Sequence, residues 1–270
     1  MQTNKPGPSL FEAYPTTEQY ELSSGAVCDI PYACRAADFT VLHGSADLGV
    51  VRRLLAGQRY QPVAVSGGKC VAQLWLADYR DTTCGPYKEL ILSFAVSQKP
   101  IEVAASAPFE LLQAGAHPEA TAYCHKLILD QQVPIDFGRE VHGHAKHPTP
   151  QPVNISFATA PWCRFDVSCD GKRVVFGQVR CPEEPAEAQR ISFSFVTPRE
   201  VFQTRNIIHF ELEGRYRLFG EGDEFSISSD SALGRELADM HFTPQVVQYL
   251  PNIRFVMPKP LNWRGAKEQA

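Results

Sequence analysis

The sequence predicts an α+β protein, predominantly antiparallel β with a few short helices, and three observations carry that expectation. Segments with strand character dominate; most are short, alternate or run apolar, and are bounded by Gly, Pro, Asn or Asp. Asp170-Gly171 and Glu213-Gly214 sit between such segments, where a hairpin would turn. Helical periodicity, by contrast, is confined to a few stretches. Strands at this spacing favour a sandwich or a barrel.

Taken in order, strands are expected over residues 39–42, 70–76, 90–96, 122–129, 153–158, 164–167, 173–179, 190–196, 207–212, 215–218 and 225–228. A helix is expected over residues 47–56, where Leu48, Val51, Leu54 and Leu55 share one face, Arg52 and Arg53 lie opposite, and Gly57 supplies the C-terminal cap. A second begins at Pro134, suited to a first helical turn, and runs to Val141 before Gly143, which places Arg139 and Glu140 near its exit. The third spans 231–240, with Leu233, Leu237 and Met240 recurring at helical intervals. Residues 104–120 read as a long loop, and the two dipeptides make antiparallel pairing the expectation for the second half.

With 270 residues, 44% hydrophobic and 21% charged, the chain has the profile of a globular protein. It divides into a polar N-terminal arm (1–24), a single domain (25–263) and a C-terminal tail (264–270). A net charge of −4 with scattered Lys and Arg lacks the footprint that nucleic-acid binding requires. No apolar run is long enough to cross a bilayer and the first residues lack a signal-peptide pattern, so no membrane partner and a cytoplasmic location are expected. None of the eight cysteines forms a C-x-x-C pair, and free, mostly buried thiols are expected. His142, His144 and His147 invite a metal reading, yet no Asp, Glu or Cys completes a recognised spacing, so no metal is assigned. No glycine-rich phosphate loop or nucleophile elbow is present in the sequence, and no cofactor is expected. Trp75, Phe94 and Phe157 read as core aromatics.

The informative stretch is Gly138-Arg139-Glu140-Val141-His142-Gly143-His144-Ala145-Lys146-His147-Pro148. It resembles the signature of the acetoacetate decarboxylase family: Gly-Arg-Glu, a few residues, then a lysine pair whose first member forms a Schiff base. On that match Lys146 takes the nucleophile's position, and His147 and Ala145 stand where classical members have a second lysine and a proline. Gly85-Pro86-Tyr87-Lys88-Glu89 resembles the family's Tyr-x-Glu element at a strand start, which gives Glu89 the place of the glutamate that faces the lysine. A further glutamate of the preceding strand is replaced here by Trp75 or a neighbour, and Arg35 lies close to the place of an arginine ahead of the first strand.

The resemblance implies a cone-like or barrel-like fold around an apolar pocket, a small-molecule carbonyl or keto-acid substrate, and a homo-oligomer. It makes Lys146 and Glu89 the catalytic candidates, with His147, Arg139, Glu140, Tyr87 and His144 supporting them or binding substrate. Arg139 and Glu140 read first as an ion pair or a hydrogen-bonding brace for their helix. Only a neutral amine attacks a ketone, whereas an ordinary lysine, with a pKa near ~10.4, is protonated at neutral pH. Imine-forming lysines therefore need desolvation or a neighbouring cation, a rationale already known for acetoacetate decarboxylases. The expected activity is a lyase, decarboxylation first, with aldol or dehydration chemistry on the same scaffold or a non-catalytic binding protein as alternatives. Burial of Lys146 beside Glu89 with a lowered pKa favours the enzyme; an exposed or ion-paired lysine favours the binder.

Overall fold

The computed structural model describes residues 8–159, 161–197 and 205–260. Strands with two apolar faces need cover on both, and seven strands meet that need by closing on themselves: β1 (Tyr32–Asp47), β2 (Lys69–Thr82), β3 (Tyr87–Ser97), β4 (Thr121–Leu129), β5 (Ala188–Val196), β6 (Arg205–Glu213) and β7 (Thr243–Met257). They follow one another around a mixed barrel in sequence order. Every neighbouring pair is antiparallel except β4 with β5, and β7 returns to β1 with partners from Thr243↔Ser45 to Met257↔Tyr32.

Period-two alternation assigns the faces. On β3, Tyr87, Glu89, Ile91 and Ser93 point into the barrel, while Leu90, Leu92, Phe94 and Val96 point outward into a second core. That outer core is covered by a four-stranded sheet (Asn154–Thr159, Trp162–Cys169, Lys172–Arg180 and Glu224–Ile227) that contributes Ile155, Phe165, Val167 and Val175.

Five helices lie among the described residues: α1 (Leu10–Ala13), α2 (Leu48–Leu54), α3 (Pro108–Gly115), α4 (Gln132–His142) and α5 (Ala232–Asp239). The expected helices correspond to α2, α4 and α5. The side chain of Asp47 caps α2 by accepting from Val50 N at 2.9 Å, and Ser231 caps α5 by accepting from Gly234 N at 2.9 Å.

The structure corrects several expectations. Residues 104–120 are not one loop: α3 forms there, with Pro108 in its first turn, and buries only Leu111 and Ala114, too narrow a stripe to mark a helix in sequence. Asp170-Gly171 does form a hairpin, with φ of 54° and 74°, between the paired residues Cys169 and Lys172. Glu213-Gly214 does not. Neither residue has positive φ, and β6 and the strand Arg215–Leu218 both pair with β7, whose 15 residues accept them one after the other.

Among the described residues, pairing within the second half is antiparallel as expected; the parallel contacts join β5 and the short strand Lys146–Pro148 to β4 of the first half. The N-terminal region is more than a polar arm: α1 is followed by a strand, Glu18–Glu21, that pairs with Val27–Ile30, and Leu22 is buried. The expected tail, 264–270, lies outside the described residues. All eight cysteines are free thiols, five of them buried. Among the described residues no helix is long and apolar enough to cross a membrane.

Candidate active site

Two elements deliver the candidate pair. Glu89 comes from the inward face of β3. Lys146 comes from the chain reversal after α4, where Gly143 takes a left-handed conformation (φ 68°) and His144 N donates to Gly138 O at 2.9 Å, ending the helix in a glycine cap. Lys146 N then donates to His144 O at 2.9 Å, and the short strand Lys146–Pro148 pairs in parallel with Leu127–Leu129 of β4. Arg139 fixes the turn from behind, its Nη2 donating to Lys146 O at 2.6 Å. The lysine side chain crosses α4 over Gly138, where a Cβ would lie 2.5 Å from Lys146 Cε.

The Lys146 ammonium and Glu89 Oε1 meet at 2.5 Å, with side chains 5% and 2% exposed. Tyr79 OH donates to Glu89 Oε2 at 3.5 Å, its ring stacks on Tyr87 at 4.2 Å, and the Tyr87 and Tyr32 hydroxyls share a 2.8 Å hydrogen bond. Lys146 Nζ lies 6.0 Å from the Tyr87 ring centroid. These groups face a cavity of about 90 Å³ inside the barrel, walled by residues of all seven strands and α4. Aromatic rings, among them Trp75, Phe137, Phe195, Phe210 and Phe255, make up much of that wall. Lys146 and Glu89 are the only lysine, arginine, aspartate or glutamate on it among the described residues.

Burial sets the protonation of the surrounding groups. It pushes the phenols of Tyr32, Tyr79 and Tyr87 well above their ordinary value and the Cys124 thiol up to about 12. His142 is pushed down to about 3 by burial, against a backbone hydrogen bond at Met257 that opposes the shift. Burial first, then the neighbouring His142 and the Lys146 charge, hold His144 well below the usual histidine range. The His144 ring lies 5.2 Å from both His142 and Phe195, and neither of its nitrogens has a hydrogen-bond partner among the described residues.

The profile of the acetoacetate decarboxylase family matches residues 61–218, more than half of the chain and both elements of this pair. The chain belongs to the acetoacetate decarboxylase family. Solved acetoacetate decarboxylases share its fold. That of Legionella pneumophila subsp. pneumophila str. Philadelphia 1 is 12% identical over 98% of this chain and 94% of its own, with a TM-score of 0.59. A second is 13% identical over 87% and 90% of the two chains, at 0.56. The enduracididine biosynthesis enzyme MppR, complexed with pyruvate, is 14% identical over 89% and 91%, at 0.53. No curated protein matches the chain.

Of the residues expected from the acetoacetate decarboxylase resemblance, Lys146, Glu89, Tyr87 and His144 line the cavity, and Arg139 braces Lys146 from outside it. Glu140 and His147 are not on the wall. Glu140 receives the backbone N–H and hydroxyl of Ser23, tying the N-terminal segment to α4 rather than pairing with Arg139. His147 follows Lys146 on a strand, so alternation turns it to the other face. Arg35 stays at the surface, 3.6 Å from Asp81. Trp75 lines the cavity, while Phe94 and Phe157 pack in the outer core. The acetoacetate decarboxylase signature did not point to Tyr32 or Tyr79, and it includes Gly138 without showing that Lys146 packs over it. Tyr79 was legible only as the inward residue two positions beyond Ala77 on β2, and only the fold brings it opposite Tyr87. Among the described residues no group of three or more His, Cys, Asp or Glu could hold a metal ion.

Proposed function

We propose that the chain is a carbon–carbon lyase that forms an imine between Lys146 and a small keto acid or related carbonyl compound, with decarboxylation the first reaction expected of it. One observation carries this reading: a buried lysine amine in contact with a buried carboxylate on the wall of an otherwise apolar cavity. Lys146 is buried beside Glu89, as an enzyme requires, and also ion-paired, as expected of a binder; the enzyme reading rests on that contact supplying a proton acceptor. Moving the ammonium proton across the contact to Glu89 gives the uncharged amine that attack on a carbonyl requires.

The free amine adds to the substrate carbonyl, and water leaves with the proton held on Glu89. The protonated imine then takes up the electron pair of the breaking carbon–carbon bond, giving an enamine. In a β-keto acid that step releases carbon dioxide; protonation and hydrolysis return the lysine. Cavity size points to a small substrate, since about 90 Å³ is less than the 150 Å³ that holds benzene in an engineered apolar cavity. His144 gives some weight to aldol chemistry as a second reading, because its unpartnered nitrogens can bond a hydroxyl or second carbonyl. Product analysis tests the proposal: a panel of small β-keto acids and β-hydroxy ketones should yield carbon dioxide or an aldehyde with the native protein and neither with Lys146→Arg. Tight binding of panel members without turnover would leave a binding protein instead.

A further inference from the structure

At the end of the cavity wall formed by Trp75 and Ser93, a line of side chains leaves the site and crosses the barrel to its surface. Trp75 Nε1 donates to Ser93 Oγ at 3.0 Å, and Ser93 donates to Gln73 Oε1 at 3.0 Å. Gln73 Nε2 faces His43 Nδ1 at 3.4 Å, His43 Nε2 faces Gln248 Oε1 at 2.8 Å, and Gln248 Nε2 donates to Tyr216 OH at 2.7 Å. Ser93, His43 and Gln248 are buried, whereas Tyr216 is 49% exposed. Each interior member accepts from one neighbour and donates to the next. The indole N–H can only donate, so it stands at the head.

With the amides in this orientation the chain has one polarity, and His43 is its hinge: it must accept at Nδ1 and donate at Nε2. Two consequences reach the cavity. The indole N–H of Trp75 is already used, and the Ser93 proton points away toward Gln73. We infer that His43, as its Nε2–H tautomer, is a positioning residue that strips this wall of hydrogen-bond donors, so that it receives the apolar substituent of the carbonyl substrate and rejects a carboxylate. The reversed polarity would put the proton on His43 Nδ1, swing both amides over, and free the Ser93 hydroxyl to donate into the cavity. Burial favours a neutral ring that can serve in either sense, pushing His43 down to about 4 against the pull of its Gln248 bond.

The test has two arms, and the first does not depend on the imine reading. Proton–nitrogen correlation spectra of the full chain labelled with 15N-histidine, assigned by His43→Gln, should show His43 with a protonated Nε2 and a bare Nδ1. A protonated Nδ1, or a mixture of tautomers, overturns the inference. The second arm rests on imine formation at Lys146 and compares acetone with pyruvate, which differ by a methyl against a carboxylate, in borohydride trapping. Gln73→Leu removes the acceptor that holds the Ser93 proton, and it should raise pyruvate trapping relative to acetone by roughly tenfold, the scale of one hydrogen bond to a charged group. An unchanged ratio overturns the specificity role. Failure of both ketones to trap would sink the imine reading, while the tautomer spectrum would still decide the polarity of the chain.

Discussion

A methyl group on Gly138 would sit 2.5 Å from Lys146 Cε, closer than van der Waals contact permits. Gly138→Ala should therefore leave a folded protein whose amine is pushed away from Glu89. Displacement of a reacting group by about 1 Å can cost on the order of 100-fold, so the rate of imine trapping should fall by that order while the urea midpoint moves little. Glu89→Leu tests the opposite partner. With side-chain exposures of 5% and 2%, the pair is deeply buried, and removing one charge from such a pair costs about 3–5 kcal/mol. Urea unfolding should show a loss of that size, and the double variant Glu89→Leu/Lys146→Met should recover much of it. At this scale the sequence was legible where residues match a motif: Lys146, Glu89, Tyr87 and His144 all reach the cavity. It did not show that Glu140 and His147 lie off the cavity wall, because neighbours in a motif need not share a face. Helix and strand geometry send them to Ser23 and away from the cavity wall.

Two Gly-containing dipeptides look alike in sequence and behave differently as elements. Gly171 occupies φ 74° with nothing within 4 Å of a would-be Cβ, so Gly171→Ala carries a purely backbone cost of about 1–2 kcal/mol. Gly214 has no positive φ, and Gly214→Ala should lack that backbone penalty, its new methyl coming nearest to the Tyr216 ring and hydroxyl and to Gln248 Nε2, at 3.3–3.4 Å. Thermal denaturation of the two variants would distinguish the hairpin from the break between two strands on one long partner. The pattern in the sequence identified the barrel strands but not their lengths: residues 39–42 are the centre of a 16-residue strand. Extension beyond the apolar run comes from pairing along both edges, which no local window contains. The helix in residues 108–115 was hidden for a related reason, since two buried residues suffice when the neighbouring sheet supplies the rest of the contact.

Across the whole molecule, three buried histidines couple stability to acid. His43 is pushed down to about 4, His142 to about 3, and His144 also lies well below its ordinary value, in each case chiefly by burial. In the unfolded chain they titrate near ~6.5, so below that pH the unfolded state binds more protons than the folded one. Stability is thus fully present above about pH 6.5 and declines as the pH falls toward 4, by up to roughly 1.4 kcal/mol per pH unit for each histidine. Urea midpoints at pH 7.5, 6.5 and 5.5 should fall a little across the first step and about three times as far across the second. His144→Phe should flatten that fall.

The family resemblance implied the barrel-like fold that the structure shows, whereas strand pattern alone left sandwich and barrel both open. Strand content and the short helices followed from pattern, but closure into a barrel whose strands run in chain order depends on β7 returning to β1, a pairing of residues about 200 or more apart in sequence. That closure is what encloses the cavity and brings Glu89 to Lys146. The most direct test of the account is borohydride reduction in the presence of a small ketone or keto acid, followed by mass spectrometry of the peptide that contains Lys146. A reduced adduct on Lys146, absent from Lys146→Arg and strongly diminished in Gly138→Ala, is the predicted result. A ligand shown to bind the cavity that leaves no adduct on Lys146 would contradict imine chemistry and make the site a binding pocket.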